Sequence, residues 1–206
     1  MNSAEKQGKE SGMSLKERIY SVLIVSASEK LNIALSEFLP ESHYQPVRNV
    51  SSISAGKRAW SERSYDFVIV NSPLPDDVGI RFAIDTAGSA GTVVLLLVRA
   101  ELHDDVRDKV LEHGVFTLAK PLSRPVLSLV LDWMVTNRER LRKLEKKTLS
   151  MEEKMEEIRL ANRAKWLLIS ELKMDEPQAH RYIEKQAMDR CVPKREVAEE
   201  IIRTYL

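Results

Sequence analysis

From Val126 to Glu176 the chain contains neither proline nor glycine, and charged residues crowd the interval. Nothing in it breaks a helix or makes a tight turn, so one long helix is the expected structure. Apolar residues recur along it with heptad spacing. Met134, Leu141, Thr148 and Met155 stand seven apart, and Leu144, Met151 and Ile158 form a second series three positions on. Two such series are the a and d positions of a coiled-coil seam. Arg140 and Glu145, then Lys147 and Glu152, fall at g and e, where each basic residue can meet an acidic one on a parallel partner. Asn137, Thr148 and Asn162 also fall on the seam, which weakens it but helps to fix its register. The expectation is a coiled-coil linker over 126–158 that makes a homodimer. The competing reading is one amphipathic helix lying on the rest of its own chain.

A chain of 206 residues, 43% apolar and 31% charged, suits one domain or two small ones, with room for a real core. Lys plus Arg number 32 and Asp plus Glu 31, so no global charge draws the protein to nucleic acid or a membrane, and any such surface must be local. The single cysteine, Cys191, excludes an internal disulfide framework and a multi-cysteine zinc site. His43, His103 and His113 are scattered without metal-ligand spacing. The longest apolar run, Val93 to Val98, falls far short of the ~20 residues of a membrane helix. Residues 1–17 lack the apolar stretch of a signal peptide and are expected to form a disordered leader. The chain thus reads as cytoplasmic, with no membrane partner, no cofactor and no metal.

Residues 18–125 alternate short apolar runs with amphipathic stretches. Ser21 to Val25, Tyr65 to Val70 and Thr92 to Val98 are rich in β-branched residues and read as buried strands, with weaker strands at Pro46 to Val50 and Val115 to Ala119. Leu31, Leu35, Phe38 and Leu39 mark a helix after the first strand, and Ile53 to Ser61 a weaker one. Strands alternating with helices predict a doubly wound α/β domain with a parallel, flavodoxin-like sheet.

The final stretch, 150–206, reads as an all-α bundle of three helices. The first continues the linker and carries Ala161, Ala164, Leu168 and Leu172 on one stripe. Asp175 and Gln178 form a capping-box pattern that opens the second, whose inner stripe is Ala179, Ile183 and Ala187. Pro193 opens the third, which buries Val197, Ile201 and Ile202.

The order of strands and loops in 18–125 resembles the receiver domain of bacterial response regulators. In that family an acidic pair after the first strand binds magnesium and an aspartate after the third accepts a phosphoryl group. A Thr or Ser ends the fourth strand and a Lys-Pro pair the fifth. Here the acidic pair falls on Ser26 and Ala27, the acceptor on Asn71, and the fourth strand ends Val98-Arg99-Ala100; Lys120-Pro121 is kept. Magnesium prefers carboxylate oxygens, and an amide cannot form the acyl phosphate. The resemblance therefore implies a pseudo-receiver without a catalytic site; control by a regulatory protein, a small ligand or expression level is expected in place of phosphorylation. Asp76, Asp77 and Glu29 are expected to be solvated loop acids; in the rival reading they rebuild the metal site. Lys120 is either functional or a relic of the fold.

Three segments, Asn162 to Ile169, Met174 to Arg190 and Arg195 to Ile202, resemble the ANTAR domain of the AmiR and NasR antitermination regulators. Trp166 departs from the pattern, since many members carry glycine there. The resemblance implies a three-helix bundle that binds hairpin loops in mRNA leaders and prevents a terminator from forming. Local charge agrees: between Ile158 and Arg195 nine basic residues face five acidic ones. Arg159, Arg163 and Trp166 share one helical face, and Arg181 and Lys185 share another. Together with Lys165, Arg190, Lys194 and Arg195 they are the candidate RNA-binding residues, able to neutralise phosphates and stack on splayed bases. Trp166 reads equally as a core or dimer-contact residue, Tyr182 and His180 as packing and surface residues, and Cys191 as incidental. The function expected is an antiterminator rather than an enzyme. A scaffold that binds no RNA and a response regulator that reads duplex DNA are the rivals.

Overall fold

The computed structural model describes residues 18–89 and 91–205, so the expected leader over 1–17 lies outside the described residues. Strand β1 (Tyr20–Val25) is buried at every position, because it has strands on both edges and helices over both faces. The parallel sheet continues through β2 (Tyr44–Val50), β3 (Phe67–Asn71), β4 (Val93–Arg99) and β5 (Phe116–Lys120) in the order β2-β1-β3-β4-β5. That is the flavodoxin-like order. The weak strand expected near Pro46 is β2, an edge strand; with no strand beyond it, proline is tolerated and half the residues face water.

Period-two alternation sends side chains to two cores. Leu23, Val25, Val68, Val70, Val94 and Leu96 pack with Ala59 of α2 (Ile53–Glu62), Phe82 of α3 (Ile80–Ala87) and Val110 of α4 (His103–Val110). Val22, Ile24, Phe67, Ile69, Leu95 and Leu97 face the other way, onto Leu35 of α1 (Glu29–Ser36) and Leu127, Val130, Leu131 and Met134 of α5 (Arg124–Leu172). Each such side chain contributes about 1.5–3 kcal/mol on burial. Gly79 opens α3 at φ +77°, where an added Cβ would lie 2.8 Å from a Val70 methyl.

The expected long helix is present, but the α/β unit claims its first turns. The chain divides between Lys143 and Leu144, well beyond the domain boundary expected at residue 125. Apolar contact is one reason, since Leu127, Val130, Leu131 and Met134 are buried in the second core and Leu141 packs against it. A polar cluster is the other. Asp66 accepts from the Ser21 backbone N–H and hydroxyl at 2.9 Å each, from Arg138 Nε at 2.7 Å and from Arg142 at 3.4 Å. Glu139 accepts from the Tyr20 hydroxyl at 2.9 Å and pairs with Arg18. Burial opposes ionisation of Asp66, but the Ser21 and Arg138 hydrogen bonds outweigh it and hold the carboxyl below its ordinary value. Met134 is therefore a core residue of its own α/β unit and Leu141, partly buried, packs against that core, a correction to their expected place on the dimer seam. The seam residues left open are Leu144, Met151, Met155 and Ile158, each more than half exposed.

The second unit holds the end of α5 from Leu144, with α6 (Glu176–Arg190) and α7 (Lys194–Tyr205). Its core is Ala164 and Leu168, the expected stripe Ala179, Ile183 and Ala187, then Val197, Ala198 and Ile201. Leu172, expected on the stripe of Ala161, Ala164 and Leu168 in the preceding helix, is exposed at the helix end. The capping box forms as expected: Gln178 N–H donates to Asp175 at 2.7 Å, and Asp175 N–H to the Gln178 side chain at 3.0 Å. Cys191 closes α6 in the left-handed conformation, φ +53°, with its thiol free and exposed.

Candidate functional site

The ends of β1, β3 and β5 bring Ser26, Asn71 and Lys120 together. Asn71 Nδ2 donates to Ser26 Oγ at 3.1 Å, and Lys120 Nζ donates to Asn71 Oδ1 at 2.9 Å and to the Ser72 carbonyl. Ser28 N–H adds a 3.2 Å bond to Ser26 Oγ. Ser26 and Asn71 are buried, whereas Ala27 is exposed and has no side-chain donor or acceptor. Burial lowers the Lys120 pKa, and nearby Arg99 lowers it further.

These residues do not fit a magnesium ion. The three positions offer a hydroxyl, a methyl and an amide whose oxygen already accepts from an ammonium, where a hard divalent cation needs carboxylates. Nor do Asp76 and Asp77 rebuild the site. Asp76, expected to be merely solvated, accepts from the backbone N–H groups of Ser54 and Ile53 and from the Ser54 hydroxyl, all at 2.9 Å. Those bonds at the start of α2 hold its pKa at about 2. Asp77 accepts from Gly79 N–H at 2.6 Å in the turn before α3. Both carboxylates are committed to local structure.

In the bundle the candidate RNA-binding residues fall into two groups. Among the described residues, Arg163, Arg181 and Lys185 are exposed and make no ion pair, and Arg159 makes only a 3.7 Å one with Glu156. The other four basic candidates are engaged. Lys165, the most shielded of them, bonds Glu176 at 3.0 Å; Lys194 bonds Glu184 at 2.6 Å, Arg195 bonds Glu199 at 2.8 Å, and Arg190 pairs with Glu200. Helical spacing gave no sign of this, because three of these acids stand ten or eleven residues from their cations, on another helix. Solvent screens exposed pairs of this kind, so they hold the cations only loosely.

Trp166 is 70% exposed, which excludes the core reading within this chain. It borders a recess of about 390 Å³ with Asn162, Lys165, Ile169 and Glu176. Two side chains of α6 were missed. Met188 is 77% exposed and continues the Arg181–Lys185 face at i+7, as Trp166 continues the Arg159–Arg163 face. Tyr182, expected to pack, is exposed beside Arg181. The repeated order of two basic residues followed by a large apolar one was visible in the sequence at that spacing.

Residues 150–202 match the ANTAR domain family, the stretch that supplies the bundle. The transcriptional regulatory protein PdtaR of Mycobacterium tuberculosis is 27% identical over 184 residues, covering 89% of this chain and 89% of that protein. The signal receiver domain of an HD domain-containing protein from Pseudomonas fluorescens superposes with a TM-score of 0.54 at 19% identity, over 64% of this chain and 97% of that one. An adenylate cyclase structure from Rhodopirellula baltica gives 0.56 at 17% identity, over 63% and 97%. The α/β unit thus has the receiver fold, and the stretch that follows it is similar to the ANTAR family over residues 150–202. No helix among the described residues is long and apolar enough to cross a membrane.

Proposed function

We propose that this receiver–ANTAR chain is a transcription antiterminator that binds hairpin loops in nascent mRNA leaders and is not switched by aspartyl phosphorylation. The observation that carries the reading is the coincidence of the ANTAR match with a bundle whose exposed faces hold Arg163, Arg181 and Lys185, without carboxylate partners among the described residues, beside exposed Trp166 and Tyr182. Unpaired cations neutralise phosphates at no cost of broken ion pairs, and the aromatic faces stack on loop bases. The action is occupancy rather than chemistry: an RNA fold held by the protein is stabilised against the competing terminator by the free energy of binding.

The partner along α5 is a second copy, through Leu144, Met151, Met155 and Ile158, all exposed in the single chain. A dimer presents two bundles, so a second hairpin binds at an effective concentration of about millimolar and gains about 10²–10⁴ in avidity. The pseudo-receiver takes its input from a protein or a small ligand, since the Asn71 amide is no acyl-phosphate nucleophile.

Gel-shift titration with a leader hairpin, the same stem carrying a scrambled loop, and a matching DNA duplex tests the reading. The intact hairpin should bind at least tenfold more tightly than either control. Preference for the duplex, or indifference to the loop bases, would overturn it. Acetyl phosphate with magnesium should change neither RNA affinity nor dimerisation.

A further inference from the structure

A cavity of about 510 Å³ lies between α1 and the first turns of α5, inside the range of roughly 300–1,000 Å³ typical of small-ligand sites. It opens beyond the carboxyl ends of β1, β3 and β5, at Ser28, Asn71 and Lys120. Sheets with this strand order bind ligands there, at the switch point between β1 and β3. Its walls are apolar: Leu31, Ala34 and Phe38 on one side, Leu122 and Leu127 on the other. Its charged lining residues are Lys30, Lys120 and Arg124, with no acidic side chain among them.

The cations are suited to an anion that arrives with an apolar body. Lys120 uses two donors, on Asn71 and Ser72, and an ammonium has a third. Arg124 lies over the Phe38 ring at 5.7 Å and pairs with Glu37, which is outside the lining. Lys30 is exposed and, among the described residues, has no ion pair. An anion beside Lys120 would offset the burial that lowers its pKa and the repulsion from Arg99 that lowers it further. Bare phosphate is a poor fit, because most of the wall offers no hydrogen bond to a phosphate oxygen.

We infer that this cavity is a binding site for a small amphipathic anion, its acidic head against Lys120 and Lys30 and its apolar body against Leu31, Phe38 and Leu127. The site lies wholly in the α/β unit, so it stands or falls independently of RNA binding.

The test is titration of the full-length protein with octanoate, followed by calorimetry and by amide chemical shifts. Saturable binding is expected, with shifts confined to Leu31–Phe38 and Leu122–Leu127. Lys30→Glu should weaken it about tenfold, and Ala34→Phe should abolish it by filling the cavity. 1-Octanol should bind at least tenfold more weakly, and inorganic phosphate should leave Leu31 and Phe38 unshifted. Absence of saturable octanoate binding, equal affinity for octanol, or the same shifts with phosphate would each overturn the inference. Should Ala34→Phe fail to fold, Lys30→Glu still decides: unchanged affinity in that variant removes the charged head from the site.

Discussion

Met134 offers the sharpest test of which side chains serve the monomer and which await a partner. It is fully buried against Leu127, Val130, Leu131 and the sheet, although its heptad spacing matches that of Met155. Met134→Ala removes the side chain beyond Cβ from a packed site. Loss of transfer energy plus a residual cavity costs about 2–5 kcal/mol. A middle value of about 3 kcal/mol lowers the folding constant of the α/β unit roughly a hundredfold. The effect should be local to that unit, so hydrogen exchange of the β3 and β4 amides is the suitable assay. Protection at Val68 and Leu95 should fall by that factor at every protein concentration. Met151→Ala and Met155→Ala touch side chains 57% and 56% exposed in the single chain. They should leave those amides unchanged and weaken dimerisation, measured by sedimentation equilibrium, about tenfold. Stabilisation by a partner depends on concentration through mass action. If the Met134→Ala loss shrinks as the protein is concentrated, Met134 belongs to the seam and the division of α5 drawn above is wrong.

Asp66→Asn should cost about 2 kcal/mol at neutral pH by removing the carboxylate that accepts from Ser21 and from Arg138, whose side chain is 12% exposed. Because the folded pKa lies below 3.8, that stabilisation is present above the unfolded value and is lost as pH falls through the folded one. Urea melts of the two proteins should therefore converge only in acid; convergence near neutrality would contradict the assignment. Arg181→Ala with Lys185→Ala should weaken hairpin binding at least tenfold and reduce the salt slope by about 1.4, for two phosphates on a single strand. An unchanged slope would remove both residues from the interface. Gly79→Ala should destabilise the α/β unit by about 1–3 kcal/mol, through the left-handed backbone and the 2.8 Å approach to Val70; a neutral melt would refute the steric argument.

Much of this architecture is legible in local pattern. Tyr20–Val25 and Val93–Arg99 announce themselves by continuous burial-type composition, and the capping box at Asp175 and Gln178 appears as spacing alone implies. What escaped was tertiary. Met134 and Met155 occupy equivalent positions in one seven-residue series, and only the position of the sheet decides that one is buried and the other exposed. Likewise Arg190 and Lys194 look available until a neighbouring helix brings Glu200 and Glu184 to them. Asp76 looked like a loose acid because its partners, Ile53 and Ser54, stand more than twenty residues earlier. A helical wheel records which residues share a face, not what covers that face.

The closed network of Ser26, Asn71 and Lys120 also sets what phosphotransfer at this site would require. An aspartate placed at 71 alone would find an ammonium already 2.9 Å from its oxygen and, at 26 and 27, no carboxylate to recruit a divalent cation. Acids placed at 26 and 27 alone would gather a cation around an amide that cannot attack phosphorus. Neither partial replacement supplies nucleophile and metal site together, so all three positions would have to change at once.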